Sequence, residues 1–571
     1  MANHSTVSSP QTIVGLFQHR VRHSGADVAI HVRRGNEFVA LTWNDVADDV
    51  RRFAAALRSL GVERGDRVLL VSPNRYEWIV ADLGIQTAGA VHVPVHASLS
   101  GAQIAYQIAD CSPRAIVLSG PEQAEKLAAH ADAIPTSTRI IAFDTCYESW
   151  PGRLFRSFSD LVAAADADEA QRLEREASDA VQPRDLATIL YTSGTTGEPK
   201  GVMLSQHNLA SNAVASIEIF GPRAGDLRVT WLPLSHIFAR TCDLYTWVVQ
   251  GCELVLADSP ETTLAQCARF KPTLVNGVPY FFEKVMRHLV QQGTAEKPGA
   301  LSELFGGRLR AGIAGGAALP RHVGEFYQRN GVTLLEGYGL TETSPVISTC
   351  TVAARKLGTV GRPIPGVEVR IASDGEVLTR GEHVMLGYWN RPEATAAVMT
   401  DGWFQTGDLG EIDADGYLKI TGRKKELIVT AGGKNIAPVY LESLLVAEPL
   451  IHQAIVIGDG RNYLTALIVP DPAHLRAAIV DEGIPVTSAA EALAHERVRR
   501  LFADRIRQRF SEVSRYEQIG DFVLLDRAFS VEAGELTPTL KPRRGEIARQ
   551  YADRIEAMYA RAPEPLRGVA T

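Results

Sequence analysis

Short apolar runs alternate with amphipathic stretches through roughly the first 400 residues, and that alternation confines the chain to layered α/β sheets with helices on their faces. Arg67–Ser72 (RVLLVS), Ala115–Ser119 (AIVLS), Arg139–Asp144 (RIIAFD) and Glu253–Asp258 (ELVLAD) read as buried strands. Gly101–Asp110, Glu122–His130 and Phe281–Leu289 read as helices between them. Leu161–Asp179, rich in Ala, Asp, Glu and Arg, reads as one solvated surface helix. The pattern changes after Gly422. A basic turn, a short strand and a Gly-Gly turn lead into a helix at Val439–Ala447 and strands at Gln453–Gly458 and Tyr463–Val469. Long helices follow, the last at Arg543–Met558.

At 571 residues the chain is too long for one ordinary core. The expected division is a large layered α/β domain over 1–422 and a small α+β domain over 423–571. A net charge of −7 gives no general attraction to nucleic acid or anionic lipid. The six cysteines are scattered without a CxxC pair, which argues for free core thiols in a reducing cytosol rather than a zinc or redox site. The first residues lack the basic start and apolar run of a secretory signal. No apolar stretch approaches the ~18 residues of a membrane span. Peripheral membrane contact stays open, and oligomeric state is not legible.

One loop carries chemistry. The apolar run Leu186–Leu190 leads into YTSGTTGEPKG (Tyr191–Gly201). Glycines let backbone N–H groups turn inward, hydroxyls add donors, and Lys200 adds a positive charge, which together suit a polyphosphate. It is not the usual P-loop, because Lys200 follows Pro199 and precedes Gly201.

YTSGTTGEPKG resembles the phosphate loop of the adenylate-forming enzymes, which join a carboxylic acid to AMP and usually pass the acyl group to a thiol. The resemblance runs from about Leu41 to Arg544, with motifs in the family's order. It implies that Thr192, Ser193, Gly194, Thr195, Thr196, Gly197 and Lys200 hold the ATP phosphates. LLEGYGLTET (Leu334–Thr343) resembles the nucleotide motif. There Glu336, Gly337, Tyr338 and Gly339 would line the adenine, Thr341 would touch phosphate, and Glu342, with Thr192, would hold Mg²⁺. A carboxylate beside phosphates suits an oxygen-seeking ion. AGGAAL (Ala314–Leu319) would lay Gly315, Gly316 and Ala317 against the base or acyl chain. DGWFQTGDLG (Asp401–Gly410) resembles the ribose motif, with Asp408 accepting the hydroxyls and Arg423 beside it. Lys425 matches the hinge on which the small, mobile domain swings. ELTPTLKPRR (Glu535–Arg544) resembles the last motif, with Lys541 as the adenylation lysine. WLPLSHIFAR (Trp231–Arg240) would put His236 near the acyl carboxylate.

LPLSHIFAR and KELIVTAGGKNIAPVYLE (Lys425–Glu442) look like the long-chain fatty acyl-CoA synthetase branch, although Ala239 stands where that branch often has Glu. Gly432, Gly433 and Lys434 would then line a pantetheine channel. The implied reaction uses ATP, Mg²⁺, a fatty acid and coenzyme A, in the cytoplasm or peripherally on the inner membrane face. Residues around Val229–Leu234, Asn276–Tyr280 and Ala311–Ala317 are small or apolar and favour an apolar acid. The alternatives are a ligase loading a carrier protein, or one activating another apolar carboxylic acid. A scaffold protein that had lost the reaction would not be expected to keep Lys200, Glu342 and Lys541.

Overall fold

The computed structural model describes residues 11–146, 150, 152–192, 198–221, 223–257, 259, 262–537 and 542–560. The chain divides into two compact units. The first comprises Met1–Arg370, Leu378–Thr406 and Ile412–Leu418. The second comprises Ile371–Val377, Gly407–Glu411 and Lys419–Thr571.

The two largest sheets lie in the first unit. One has eight strands in the order Gly387–Tyr388, Lys200–Ser205, Leu186–Thr192, Val91–Val95, Arg67–Val71, Ala115–Leu118, Arg139–Ala142 and Phe155–Ser157. Its strands from Leu186–Thr192 to Phe155–Ser157 are parallel, and the two at the other edge are antiparallel. Val68, Leu69, Leu70 and Val71 are all fully buried, so helices cover both faces. A near-continuous apolar run, rather than an alternating one, is what such a strand requires. The other sheet has nine strands. Leu274–Gly277 lies between Leu227–Thr230 and Ala311–Ala314, all three parallel. The hairpin Val28–Arg34/Glu37–Thr42 closes one edge. Helix Gln206–Phe220 starts directly after the strand that follows the phosphate loop. Ser205 and Asn208 cap it reciprocally, each side chain accepting from the other's backbone N–H.

The second unit packs helices against a three-stranded sheet, Ile451–Ile457, Leu464–Pro470 and Ile519–Leu524. Its core joins Leu441, Leu445, Leu464, Ile468, Phe502 and Phe510.

Two expected helices are broken. Leu161–Asp179 is two helices, Phe158–Ala164 and Ala167–Ala180, because Asp166 caps the second through Glu169 N. Ala170 and Ala177 of the second helix are buried, so it is amphipathic rather than wholly solvated. Arg543–Met558 is likewise Arg544–Gln550 and Ala552–Ala560, interrupted at Tyr551. All six cysteines are buried and unpaired. Among the described residues no helix is long and apolar enough to cross a membrane.

Candidate functional site

The phosphate-loop hairpin sets the frame. Thr192 ends one strand and stands opposite Lys200, which starts the next. Ser193, Gly194, Thr195, Thr196 and Gly197 lie outside the described residues. Gly201 is needed for close packing, since a Cβ there would sit 2.6 Å from Ile189 Cγ2. Tyr191 anchors the strand end through its hydroxyl, which donates to Asp110 at 2.6 Å.

Thr341 and Glu342 occupy a tight turn, Thr341–Thr343, after strand Leu334–Gly339. Thr343 Oγ1 holds the turn, 3.1 Å from Leu340 O and 2.7 Å from Pro345 O. Gly339 admits no side chain, because a Cβ would lie 1.7 Å from Pro345 O. The Glu342 carbonyl accepts from Met385 N at 2.8 Å. Its carboxylate Oε1 accepts from the buried Tyr388 hydroxyl at 2.9 Å. The Lys200 ammonium lies 4.9 Å from the centre of the Tyr388 ring. Tyr388 thus joins the lysine and the carboxylate that sequence motifs assigned separately. Nothing in the motif reading pointed to Tyr388; its one sequence signal is an aromatic flanked by Gly387 and Trp389.

Glu336, Gly337 and Tyr338 run along the same strand. Glu336 is 8% exposed. It accepts from Gly358 N at 3.3 Å, and burial pushes its carboxyl up to about 7. Gly315 follows strand Ala311–Ala314, and a Cβ there would meet the Phe238 ring at 2.8 Å. The Gly-Gly-Ala segment and the His236 segment therefore pack together. Gly316 has φ +82°, and Ala317 is exposed.

His236 caps a short helical turn by accepting from Phe238 N at 3.2 Å. With Thr341, Tyr191, Ser235, His96 and Gln107 it borders a cavity of about 30 Å³, room for a water or two. Ser235 Oγ lies 2.8 Å from His96 Nδ1, and burial pulls His96 down to about 4, so the ring is neutral near pH 7. Beneath His236, Arg240 N donates to the His236 carbonyl at 3.0 Å. The Arg240 guanidinium is fully buried, 2.5 Å from Asp82 and 2.7 Å from Thr188. His92 completes the cluster at 2.6 Å from Asp82. These buried polar groups come from three regions of the chain, around Asp82–His92, Thr188 and Arg240, and carry no local motif.

The stretches expected to face the acid lie side by side in the nine-stranded sheet, where the strand ends of such sheets form ligand crevices. One acidic group reaches them from outside. Asp243 accepts from Asn276 Nδ2 at 2.7 Å, with Arg228 at 3.9 Å. Burial raises its carboxyl.

In the second unit, Arg423 Nε donates to Asp408 Oδ1 at 2.7 Å. Lys425 is exposed, whereas Lys424 is paired with Asp374 at 2.6 Å and Glu376 at 2.9 Å. Gly432, Gly433 and Lys434 form an exposed turn between strands Ile428–Val429 and Asn435–Ile436, with Gly433 at φ +71° and Lys434 Nζ 5.6 Å from the Tyr516 ring centre. Lys541 lies outside the described residues. Leu536 and Pro542, on either side of it, pair as a β-bridge.

Among the described residues no three His, Cys, Asp or Glu side chains cluster to hold a metal. Glu342, with one oxygen engaged by Tyr388, fits a cation shared with substrate phosphates rather than a cage of protein ligands.

The sequence matches the AMP-binding enzyme family over residues 17–389 and the AMP-binding enzyme C-terminal domain over 425–563. It is 36% identical to the long-chain-fatty-acid–CoA ligase FadD15 of Mycobacterium bovis, covering 90% of this chain and 92% of that protein. It is 28% identical to the human long-chain-fatty-acid–CoA ligase ACSBG1, over 96% of this chain and 85% of that protein. Among solved structures, ATP-bound MatB from Rhodopseudomonas palustris aligns with a TM-score of 0.74 at 25% identity, over 95% of this chain and 99% of that chain. The anthranilate CoA ligase AuaEII in complex with anthranoyl-AMP shares the fold, with a TM-score of 0.78 at 21% identity over 97% of this chain and 100% of that one.

Proposed function

This chain belongs to the AMP-binding enzyme family, and on that premise we propose that it activates a fatty acid with ATP and transfers the acyl group to coenzyme A. One observation carries the reading: Glu342 and Lys200 meet at Tyr388 beside the phosphate-loop hairpin, with Thr341 next to Glu342 in the same turn. The names of the relatives support a long-chain acid, and the small or apolar residues Val229, Thr230, Gly277 and Ala311–Ala314 support an apolar one.

A carboxylate is a poor electrophile because its charge repels attack. In the first step its oxygen attacks the α-phosphorus of ATP, and the bond to the bridging oxygen breaks as pyrophosphate leaves. Lys200 and Thr341 meet the phosphate charge that develops, in a site where fixed donors are worth more than in water. Bound Mg²⁺ supplies further charge neutralisation on the phosphates; Glu342 and Thr192 would hold it. Asp408 and Arg423 serve the ribose in this reading, and Glu336 to Gly339 with Gly315 to Ala317 serve the base. In the second step the thiol gives up its proton to water, its sulfur attacks the acyl carbonyl next to His236, the C–S bond forms, and AMP leaves with the electrons of the broken C–O bond. Lys541 serves adenylation, Lys425 is the hinge of a domain 423–571 set against 1–422, and Gly432 to Lys434 guide the pantetheine arm. Buried free cysteines support a cytoplasmic setting, with room for peripheral contact at the inner membrane face.

The test is ATP–pyrophosphate exchange over acids of increasing chain length, with product analysis in the presence of coenzyme A. Exchange should rise with apolar chain length. Lys541→Ala should abolish exchange and leave thioester formation from supplied acyl-adenylate intact. Exchange in that variant equal to the parent's would remove Lys541 from the reaction.

A further inference from the structure

Tyr388 spends its hydroxyl on a carboxylate oxygen, and that choice limits what Glu342 can do. A buried tyrosine hydroxyl needs an acceptor. Here the acceptor is Glu342 Oε1 at 2.9 Å, and Oε2 has no hydrogen bond among the described residues. The ring that delivers the hydroxyl is fixed from several sides. Its backbone pairs Gly387 and Tyr388 with Met203 and Val202. Tyr388 N donates to Thr395 Oγ1 at 2.8 Å. Trp389 N donates to Gly201 O at 2.7 Å, tying the segment to the hairpin that bears Lys200. Gly387 has φ +141°, and a Cβ there would lie 2.9 Å from Thr395 Cγ2, so this short strand has little freedom to shift.

We propose that Tyr388 is a positioning residue that makes Glu342 a one-oxygen ligand and so sets the cation selectivity of the site. The phenol takes one lone pair of Oε1, so Oε2 is the oxygen with both lone pairs open to a cation. Mg²⁺ demands near-ideal octahedral geometry and is bound by one or two carboxylates beside substrate phosphates. Ca²⁺ accepts more ligands in a flexible geometry and takes a carboxylate through one oxygen or through both. A phenol donor on one oxygen therefore favours the smaller ion. It also keeps the carboxylate plane from rotating, the usual service of an outer hydrogen bond to a metal ligand. The inference rests on the reading of Glu342 as the carboxylate that meets the nucleotide's metal.

The experiment measures binding rather than turnover. Calorimetric titrations of the full chain with Mg·ATP and with Ca·ATP are compared for the parent, Tyr388→Phe and Glu342→Gln. Phenylalanine keeps the ring under Lys200 and removes the hydroxyl alone. The expected result is that Tyr388→Phe weakens Mg·ATP binding by about tenfold, leaves Ca·ATP binding unchanged or tighter, and so narrows the Mg/Ca ratio. The thermal midpoint, read on the same sample, should move little. Glu342→Gln should remove most of the difference between the two ions. A Tyr388→Phe protein whose affinities for both complexes fall together, or not at all, keeps the parent's ratio and overturns the inference while Glu342 retains its role. A Glu342→Gln protein with the parent's ratio overturns both.

Discussion

The two units handle buried charge in opposite ways. In the first, both members of the central pair are sealed: Asp82 and Arg240 are each 0% exposed, with His92 against the same carboxylate. In the second, a buried carboxylate is covered by an arginine that reaches solvent. Asp408 is 4% exposed under Arg423 at 38%, and Glu535 is 0% under Arg527 at 48%. Asp521 under Arg499 and Glu442 under Arg544 follow the same plan. Sealing both charges forfeits hydration twice, and breaking such a pair strands a charge in the interior. Covering one charge from outside leaves water ready to replace the cover. The first arrangement fixes the helix, strands and turn that carry His236 into one register. The second lets pairs come apart at lower cost.

The sharpest way to break this contrast is Arg240→Met. It strands Asp82 and should cost about 3–5 kcal/mol in urea unfolding; a loss below ~1 kcal/mol would show that water reaches the cluster. Glu336 is the control, a buried carboxyl with no ion pair among the described residues. Its value, raised by burial to about 7 from 4.5, means that the folded chain holds a proton the unfolded chain has released. The ionised form is penalised as pH rises from 4.5 to 7, and the penalty is complete above 7. Glu336→Gln should match the parent's stability near pH 4.5 and exceed it at pH 7.5 by on the order of 3 kcal/mol. Equal stabilities at both pH values would place the Glu336 carboxyl at its ordinary value. Arg527→Ala should be the mildest, at about 1 kcal/mol, because water takes the place of a half-exposed guanidinium over Glu535. A cost rivalling that of Arg240→Met would erase the distinction between sealed and covered pairs.

What the sequence disclosed follows the range of the interactions involved. The strand at Arg67–Val71 and the helix at Gly101–Cys111 were legible because apolar runs and caps are local. So was the LLEGYGLTET motif that carries Thr341 and Glu342, whose residues are neighbours in the chain. The cluster of Asp82, His92, Thr188 and Arg240 was not, since each member alone is an ordinary polar residue. Tyr388 escaped for the same reason: its partner Glu342 lies 46 residues away. The break at Asp166 was missed because a capping aspartate inside an acidic, alanine-rich stretch looks like any other surface charge.

The burial of the thiols matters for a catalyst that makes a reactive anhydride. Burial pushes Cys111 and Cys267 up to about 12 and Cys146 to about 11, and raises Cys242, Cys252 and Cys350 as well. Only the thiolate is a competent nucleophile. The molecule thus withholds its own thiols from the acyl group it activates. The electrophile survives for the incoming acceptor instead of labelling the protein that made it.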